Sequence, residues 1–203
     1  MTMIDYICKK INSIPKKYYK QYNPVFRDGY RIDYSQRVIY PERAYCAYLF
    51  HLFLSDQENR NQPGFSELII DAEIYKRISG VYQSPINNAY EKTLKNIGMK
   101  IGCYPDLIIH GGQDSTENNL LALEVKTVSD LKQSEFNRDY FKVNAYAETL
   151  GYRNSFYIII NIQKSVIETY LKKYRTLNYF EHEGTKVSIV IKESFDSHIE
   201  MLV

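Results

Sequence analysis

The sequence lacks the features that mark a membrane-spanning, secreted or cysteine-stabilised protein. No apolar run approaches the roughly 20 residues that a membrane span requires. Asp5, Lys9 and Lys10 interrupt the first residues, where a signal peptide would be apolar. Cysteine occurs only three times, without a CxxC motif or a histidine at zinc-ligand spacing. We therefore expect a cytoplasmic protein with no membrane partner, no disulfide framework and no structural zinc.

The sequence has no large excess of positive or of negative charge, and it contains no tryptophan. The 26 basic and 24 acidic residues give a net charge of +2, which by itself does not identify a nucleic-acid partner. Hydrophobic residues make up 44% of the 203 residues, which is enough for a sizeable core and argues against disorder. We expect one domain over residues 1–203, with a core at about 40–192 and a helical extension at 1–39.

Hydrophobic spacing predicts helices and strands along most of the chain. Residues 3–20 and the segment that Pro41 opens have apolar side chains at helical spacing, and a short hairpin is expected between them, over 25–39. Strands are predicted over residues 66–77, 103–110, 119–127, 154–161 and 186–192. Amphipathic helices are predicted on either side of the fourth of these strands. The order predicts an α/β fold in which helices flank a central mixed sheet.

The predicted hairpin CYPDLIIH–NLLALEVKT gathers the side chains that carry chemistry. A turn centred near Ser115 places Asp106 directly opposite Glu124, so the two share a face of the sheet. Lys126 lies on the same face because side chains alternate along a strand. The other face is apolar and is predicted to be core. The alternative is that Asp106 merely begins a strand after a proline turn, while Glu124 and Lys126 face solvent.

Two acids and a lysine in this arrangement suit phosphodiester cleavage. The carboxylates of Asp106 and Glu124, with the backbone carbonyl of Val125, can hold a hard cation such as Mg²⁺ or Mn²⁺. The cation would bind a phosphate oxygen and offset developing negative charge. Lys126, its pKa lowered by that cation, would orient the attacking water or help to deprotonate it. The pattern predicts a metal-dependent phosphodiesterase site.

Two further acids are candidates for the same site. Glu42 lies three residues before Tyr45 and extends the apolar stripe of the second helix, so it could supply a metal or water ligand. The alternative is an exposed first-turn glutamate that the helix dipole favours. Glu73, in the segment DAEIY, could reach the site from a neighbouring strand.

With these residues in place, the sequence resembles the PD-(D/E)XK nuclease superfamily. The motif residues are Pro105-Asp106 and Glu124-Val125-Lys126. The chain also resembles a set of small uncharacterised bacterial members of that superfamily over about residues 40–160. The matching segments, in order, are ER, DAEIY, PDLIIH and NLLALEVK. Lys76 stands where those proteins have an asparagine after the tyrosine, which places the role of Glu73 in question.

The resemblance implies a restriction-endonuclease-like sheet and an Mg²⁺- or Mn²⁺-dependent endonuclease that leaves a 5′-phosphate. Asp106 and Glu124 would then be metal ligands, Lys126 the catalytic lysine and Glu42 the helix-borne acid. DNA is the expected substrate, in DNA processing or defence, and specificity would be low or supplied by a partner or a homodimer. An RNA endonuclease with the same chemistry and a non-catalytic nucleic-acid-binding or scaffold protein are the alternatives.

Four lysines are candidates for nucleic-acid contacts. Lys142, on the helix after the hairpin, could bind a phosphate; an exposed ion pair with Asp139, three residues earlier, is the alternative. Lys16, Lys17 and Lys20 belong to the segment KKYYK, whose lysines could contact phosphates and whose tyrosines could stack on bases. A solvated helix end is the alternative that this composition favours.

Overall fold

A six-stranded mixed sheet organises the part of the chain that the computed structural model describes. The described residues are 1–27, 31–58, 68–72, 76–77, 102–103, 105–111, 118–148, 150–177 and 187–202. The helices in them are α1 (Met3–Asn12), α2 (Glu42–Glu58), α3 (Gln133–Glu148) and α4 (Lys164–Arg175), with a short 3₁₀ turn at Lys16–Tyr18. The strands are β1 (Gln21–Arg27), β2 (Arg31–Ile39), β3 (Ile69–Asp71), β4 (Lys76–Arg77), β5 (Gly102–Cys103), β6 (Leu107–His110), β7 (Leu121–Thr127), β8 (Asn154–Ile160), β9 (Val187–Lys192) and β10 (Glu200–Leu202).

The sheet has the order β10-β9-β8-β7-β6-β3. Its three central strands β7, β8 and β9 are parallel, because α3 and α4 carry the chain back between them. The strands β10, β6 and β3 pair antiparallel with their neighbours. Strands β1 and β2 form a separate two-stranded sheet, and so do β4 and β5. This mixed α/β architecture is the one that the sequence predicts.

Helices cover the sheet on both faces. Apolar side chains of α1 and α2 share one core cluster with Leu121, Leu123 and Val125 of β7. Apolar side chains of α3 and α4 share a second cluster with Tyr157 and Ile159 of β8. The double coverage explains why β8 is apolar along nearly its whole length. It also places the face of β7 that carries Glu124 beneath α3, away from bulk solvent.

The first helix is part of the core that packs on the sheet. Thr2 and Asp5 form a capping box that satisfies backbone donors at the start of α1. The helix buries Ile7 and Ile11 in the same cluster as β7, and the Tyr19 hydroxyl donates to the Ile11 carbonyl at 2.9 Å. The sequence predicts a helical extension over residues 1–39, whereas α1 itself packs on the sheet.

The predicted register of the hairpin is confirmed. Leu107 pairs with Leu123 and Ile109 pairs with Leu121, which places Asp106 opposite Glu124.

Two predicted strands are wrong in their extent. The segment 66–77 contains β3 and β4, which belong to different sheets, and the segment 103–110 contains β5 and β6. Pro105, between β5 and β6, has no N–H group for a ladder hydrogen bond, which explains the second break. The segment after residue 192, for which the sequence predicts no strand, contains β10. Its three residues take their structure from pairing with β9.

One further prediction is confirmed within the described residues. The hairpin predicted at 25–39 is formed by β1 and β2, and it begins earlier, at Gln21. Cys8 and Cys46 are free thiols. Every helix of the described part falls short of the length and apolarity that crossing a membrane requires.

Candidate active site

The carboxylate of Asp106 is fixed by the backbone of the strand that carries Glu124. The Asp106 N–H donates to the Leu123 carbonyl at 3.1 Å. In return, Asp106 Oδ2 accepts a hydrogen bond from the Val125 N–H at 2.6 Å. Asp106 follows Pro105 and precedes β6, so its side chain serves as an acceptor where the ladder of main-chain pairs has ended. The carboxylate of Asp106 is thereby held against β7, the strand that carries Glu124.

Glu124 lies beneath α3 and is almost completely buried, with 4% of its surface exposed. One carboxylate oxygen, Oε1, accepts a hydrogen bond from the Lys142 ammonium, and the other, Oε2, accepts one from the Tyr146 hydroxyl at 3.1 Å. Both partners come from α3. Burial and these two contacts contradict the alternative in which Glu124 faces solvent.

Lys126 is held by acids from two different helices. Its Nζ atom lies 3.1 Å from Glu42 Oε2 and 3.7 Å from Asp139 Oδ2, and only 17% of its side chain is exposed. Glu42 Oε2 also accepts the Thr127 N–H at 3.3 Å. The first residue of α2 therefore reaches the end of β7. Glu42 pairs with the catalytic-lysine candidate, so the structure favours an inward-facing Glu42 over a fully exposed first-turn glutamate.

Asp139 is almost completely buried and lies near three cationic side chains. Its side chain is 1% exposed and lies 3.2 Å from Arg138 Nε, 3.4 Å from Lys142 Nζ and 3.7 Å from Lys126 Nζ. The sequence offered an exposed Asp139–Lys142 ion pair as an alternative for Lys142. The pair exists, but it is buried, because this face of α3 packs against the sheet.

Burial and neighbouring charges shift the pKa values of these groups. Burial raises the pKa of Asp106 to about 6, although the Val125 N–H and Lys142 act in the opposite direction. Burial also raises the pKa of Glu124, with Lys142 opposing the shift and Asp106 and Asp139 adding to it. The repulsion between Asp106 and Glu124 is what two acids that share a face of the sheet are expected to show.

The pKa values of the two lysines are also raised, in their case by acidic neighbours. Burial lowers the pKa of Lys126, but Asp139 and Glu42 outweigh it, so the net pKa is raised. Burial likewise lowers the pKa of Lys142, and Glu124 and Asp139 outweigh it. Both lysines therefore carry a positive charge. A lowered pKa of Lys126, which the sequence analysis expects beside a bound cation, is opposed here by the acids around it.

The raised pKa of Asp106 predicts a pH-dependent stability difference between the wild type and Asp106→Asn. The folded protein binds this proton more tightly than the unfolded chain does, so ionised Asp106 destabilises the wild type above pH 6. Without divalent cations, we expect Asp106→Asn to be more stable by about 2 kcal/mol at pH 7.5. The difference should shrink as the pH falls from about 6 towards 4. Urea unfolding of both proteins at pH 7.5 and at pH 4 measures this stability difference. A difference that does not change with pH would contradict the raised pKa of Asp106.

Asp106, just before β6, and Glu124, on β7, carry oxygen donors of the kind that hard divalent cations prefer. Asp106 and Glu124 offer carboxylate oxygens from paired strands, and Val125 lies beside Glu124 with its carbonyl. Within the described residues, no three Asp, Glu, His or Cys side chains form a group that could hold a metal ion. Two carboxylates are nevertheless sufficient for Mg²⁺, which usually binds through one or two carboxylates and keeps several waters.

In the cluster of charged side chains around Glu124 and Lys126, the carboxylates outnumber the cationic side chains by one. Its members are Glu42, Asp106, Glu124, Asp139, Lys126, Arg138 and Lys142.

Other candidates lie apart from this cluster or outside the described residues. Glu73 is outside them, although Asp71 of the same segment is described and lies 2.8 Å from His110 Nε2. Lys16, Lys17 and Lys20 are exposed. Lys16 lies 3.4 Å from Asp196, and Lys17 lies over the Tyr18 ring. The exposure of these lysines agrees with a solvated surface. Their contact with nucleic acid stays a prediction.

The sequence analysis places Lys142 on the helix after the hairpin, but it does not identify Glu124 as the partner of Lys142 and of Tyr146. The spacing of the two residues on α3, one turn apart, is the signal that they share a face. No family model, no curated protein and no solved structure matches this chain, so the chemistry of the cluster is inferred from its own geometry.

Proposed function

We propose that the chain is an Mg²⁺-dependent nuclease with a restriction-endonuclease-like fold. One observation carries the proposal. The buried carboxylate of Glu124 lies on β7, the partly buried carboxylate of Asp106 is held against the same strand by the Val125 N–H, and the charged Lys126 lies two residues beyond Glu124 on β7. This combination supplies a cation site and a separate positive group beside it, which phosphodiester hydrolysis needs and a purely structural ion pair does not.

The residues divide the work according to their contacts. Asp106 and Glu124, with the Val125 carbonyl, would hold the cation, which supplies Lewis acidity towards a phosphate oxygen. Lys126 donates hydrogen bonds to the attacking water and to the phosphate oxygen that gains negative charge. Glu42 and Asp139 hold the Lys126 ammonium in place and keep it protonated. Water attacks phosphorus, the bond to the 3′-oxygen breaks, and a 5′-phosphate and a 3′-hydroxyl remain.

DNA is the proposed substrate, on the strength of the superfamily resemblance. Low sequence specificity, or specificity supplied by a partner or a second copy of the chain, is part of the proposal. RNA cleavage by the same chemistry is an outcome that the assay distinguishes.

A non-catalytic nucleic-acid-binding role is the second candidate, and the state of Glu124 is the observation that favours it. Both of its carboxylate oxygens are already engaged, by Lys142 and by Tyr146. A cluster that keeps these contacts at all times would be a structural ion-pair network. The charged and closely held Lys126, next to the two acids, favours the catalytic proposal.

The test is cleavage of nucleic acids of several kinds under controlled metal supply. Purified protein is incubated with supercoiled plasmid, single-stranded DNA and single-stranded RNA, each with Mg²⁺, with Mn²⁺ or with EDTA. We expect cleavage of DNA with either metal, none with EDTA, and 5′-phosphate ends on the products. Cleavage of RNA alone would select the RNA endonuclease. Binding of these substrates in gel-shift assays without any cleavage would contradict the nuclease proposal and support the binding protein.

A further inference from the structure

The ammonium group of Lys142 lies between two buried carboxylates. Its Nζ atom donates to Glu124 Oε1 and lies 3.4 Å from Asp139 Oδ1. Only 14% of the Lys142 side chain is exposed, so solvent offers it little alternative hydration. Lys142 is therefore the cation that neutralises Glu124 in the arrangement described above.

A divalent cation and the Lys142 ammonium would need the same carboxylate. Tyr146 donates to the second oxygen of Glu124, which leaves the first oxygen as the position that Lys142 and an incoming cation share. Two positive charges at one buried oxygen repel strongly, because the effective dielectric constant is low there. Binding of the divalent cation at Glu124 thus requires the ammonium to move away.

The structure contains a second position for that ammonium. Asp139 lies one turn before Lys142 on α3, and its Oδ2 atom is buried and makes no hydrogen bond among the described residues. A lysine has a flexible four-carbon stem and three donor hydrogens, so a small rotation can exchange one carboxylate for the other. Lys142 can leave Glu124 without becoming an unpaired buried charge.

We propose that Lys142 is a built-in competitor of the divalent cation, which is displaced from Glu124 onto Asp139 when the cation binds. The proposal rests on the proposed metal site at Asp106 and Glu124. It assigns Asp139 and Lys142 as positioning residues that set the affinity for the cation. The two residues act in opposite directions: Lys142 opposes cation binding, and Asp139 makes the displacement of Lys142 less costly.

Calorimetric titration of the full chain with Mn²⁺ at pH 7.5 tests the proposal through two nearly isosteric variants. Lys142→Met removes the competitor, and we expect Mn²⁺ to bind about tenfold more tightly than in the wild type. Asp139→Asn removes the second position, and we expect about tenfold weaker binding. Lys142→Arg, which keeps the charge, should remain near the wild-type affinity. Thermal unfolding with and without Mn²⁺ gives an independent readout, with a larger upward shift of Tm for Lys142→Met than for the wild type.

Lys126→Met is the matched control for a general effect of removing one positive charge. Lys126 is buried in the same cluster, but its ion pairs are with Glu42 and Asp139. We expect its removal to change Mn²⁺ affinity less than the removal of Lys142 does. Equal or weaker Mn²⁺ binding by folded Lys142→Met would overturn the proposal, and so would an equal gain in Lys126→Met. These titrations require no cleavage: a wild type that binds Mn²⁺ without cutting nucleic acid contradicts the proposed function and leaves this inference standing.

Discussion

We expect Lys126→Met to lower the proposed nuclease activity by about a thousandfold at saturating Mg²⁺, the range expected when a positioned proton donor and a charge-stabilising group are both removed. The Lys126 ammonium lies two residues beyond Glu124 on β7 and pairs with Glu42 and Asp139. Methionine keeps the length and the apolar stem of the side chain but removes the charge. Single-turnover cleavage of labelled DNA measures the chemical step without a contribution from product release.

The same substitution is expected to leave the fold intact. Glu42, the closest partner of Lys126, has a side chain that is 35% exposed, so water can replace the lost contact. Asp139 keeps Arg138 and Lys142 as partners. Lys172→Met, at an exposed position of α4, is the control and should cleave like the wild type. Cleavage by Lys126→Met within about threefold of the wild type would contradict a catalytic role, since such a role is worth at least about a hundredfold.

Glu124→Gln is expected to weaken cation binding strongly and to change the stability of the protein little. The substitution removes one of two carboxylates that bind the cation, so Mn²⁺ affinity should fall at least about a hundredfold, as expected when a charged ligand is lost. It also leaves the partly buried Lys142 ammonium with Asp139 as its remaining carboxylate. The raised pKa of Glu124 means that burial disfavours its charge more than Lys142 stabilises it, so removal of the charge offsets the lost ion pair, and the net change in stability should be within about 1 kcal/mol. Calorimetry measures the first effect, and urea unfolding in EDTA measures the second.

An ion pair between α4 and β10, more exposed than the Glu124–Lys142 pair, supplies the matched control. Lys164 and Glu200 lie 2.6 Å apart, but their side chains are 33% and 42% exposed. Glu200→Gln should therefore cost less than about 1 kcal/mol and leave Mn²⁺ affinity unchanged. If Glu124→Gln is less stable than Glu200→Gln by about 3 kcal/mol or more, the charge of Glu124 stabilises the fold, which contradicts its raised pKa. If it binds Mn²⁺ like the wild type, Glu124 is not a metal ligand.

Local pattern was sufficient to predict the centre of the fold. Alternation along β6 and β7, together with the length of the turn between them, gave the register that pairs Leu107 with Leu123. That register alone placed Asp106 opposite Glu124. Helical spacing likewise predicted the buried face of α3. These features depend on neighbours that are close along the chain, which a single sequence displays directly.

The remaining features depend on how distant elements pack. The burial of Glu124 and its contact with Lys142 require α3 to lie on the face of β7 that carries the acid. The contact between Glu42 and Lys126 joins residues that are far apart in the chain and belong to different layers. Strand β10 has only three residues and depends on its pairing with β9. No spacing rule specifies such contacts.

Growing crystals of the wild type and soaking them in Mn²⁺ tests the central claim most directly, because anomalous scattering locates the ion independently of any activity. We predict an anomalous peak within about 2.2 Å of carboxylate oxygens from both Asp106 and Glu124, the distance typical of such hard cations. We also predict that the Lys142 ammonium is displaced from Glu124 towards Asp139. A Mn²⁺ ion bound elsewhere, or no ion at this pair while Lys142 keeps its contact with Glu124, would contradict the assignment of the cluster as a metal-dependent active site.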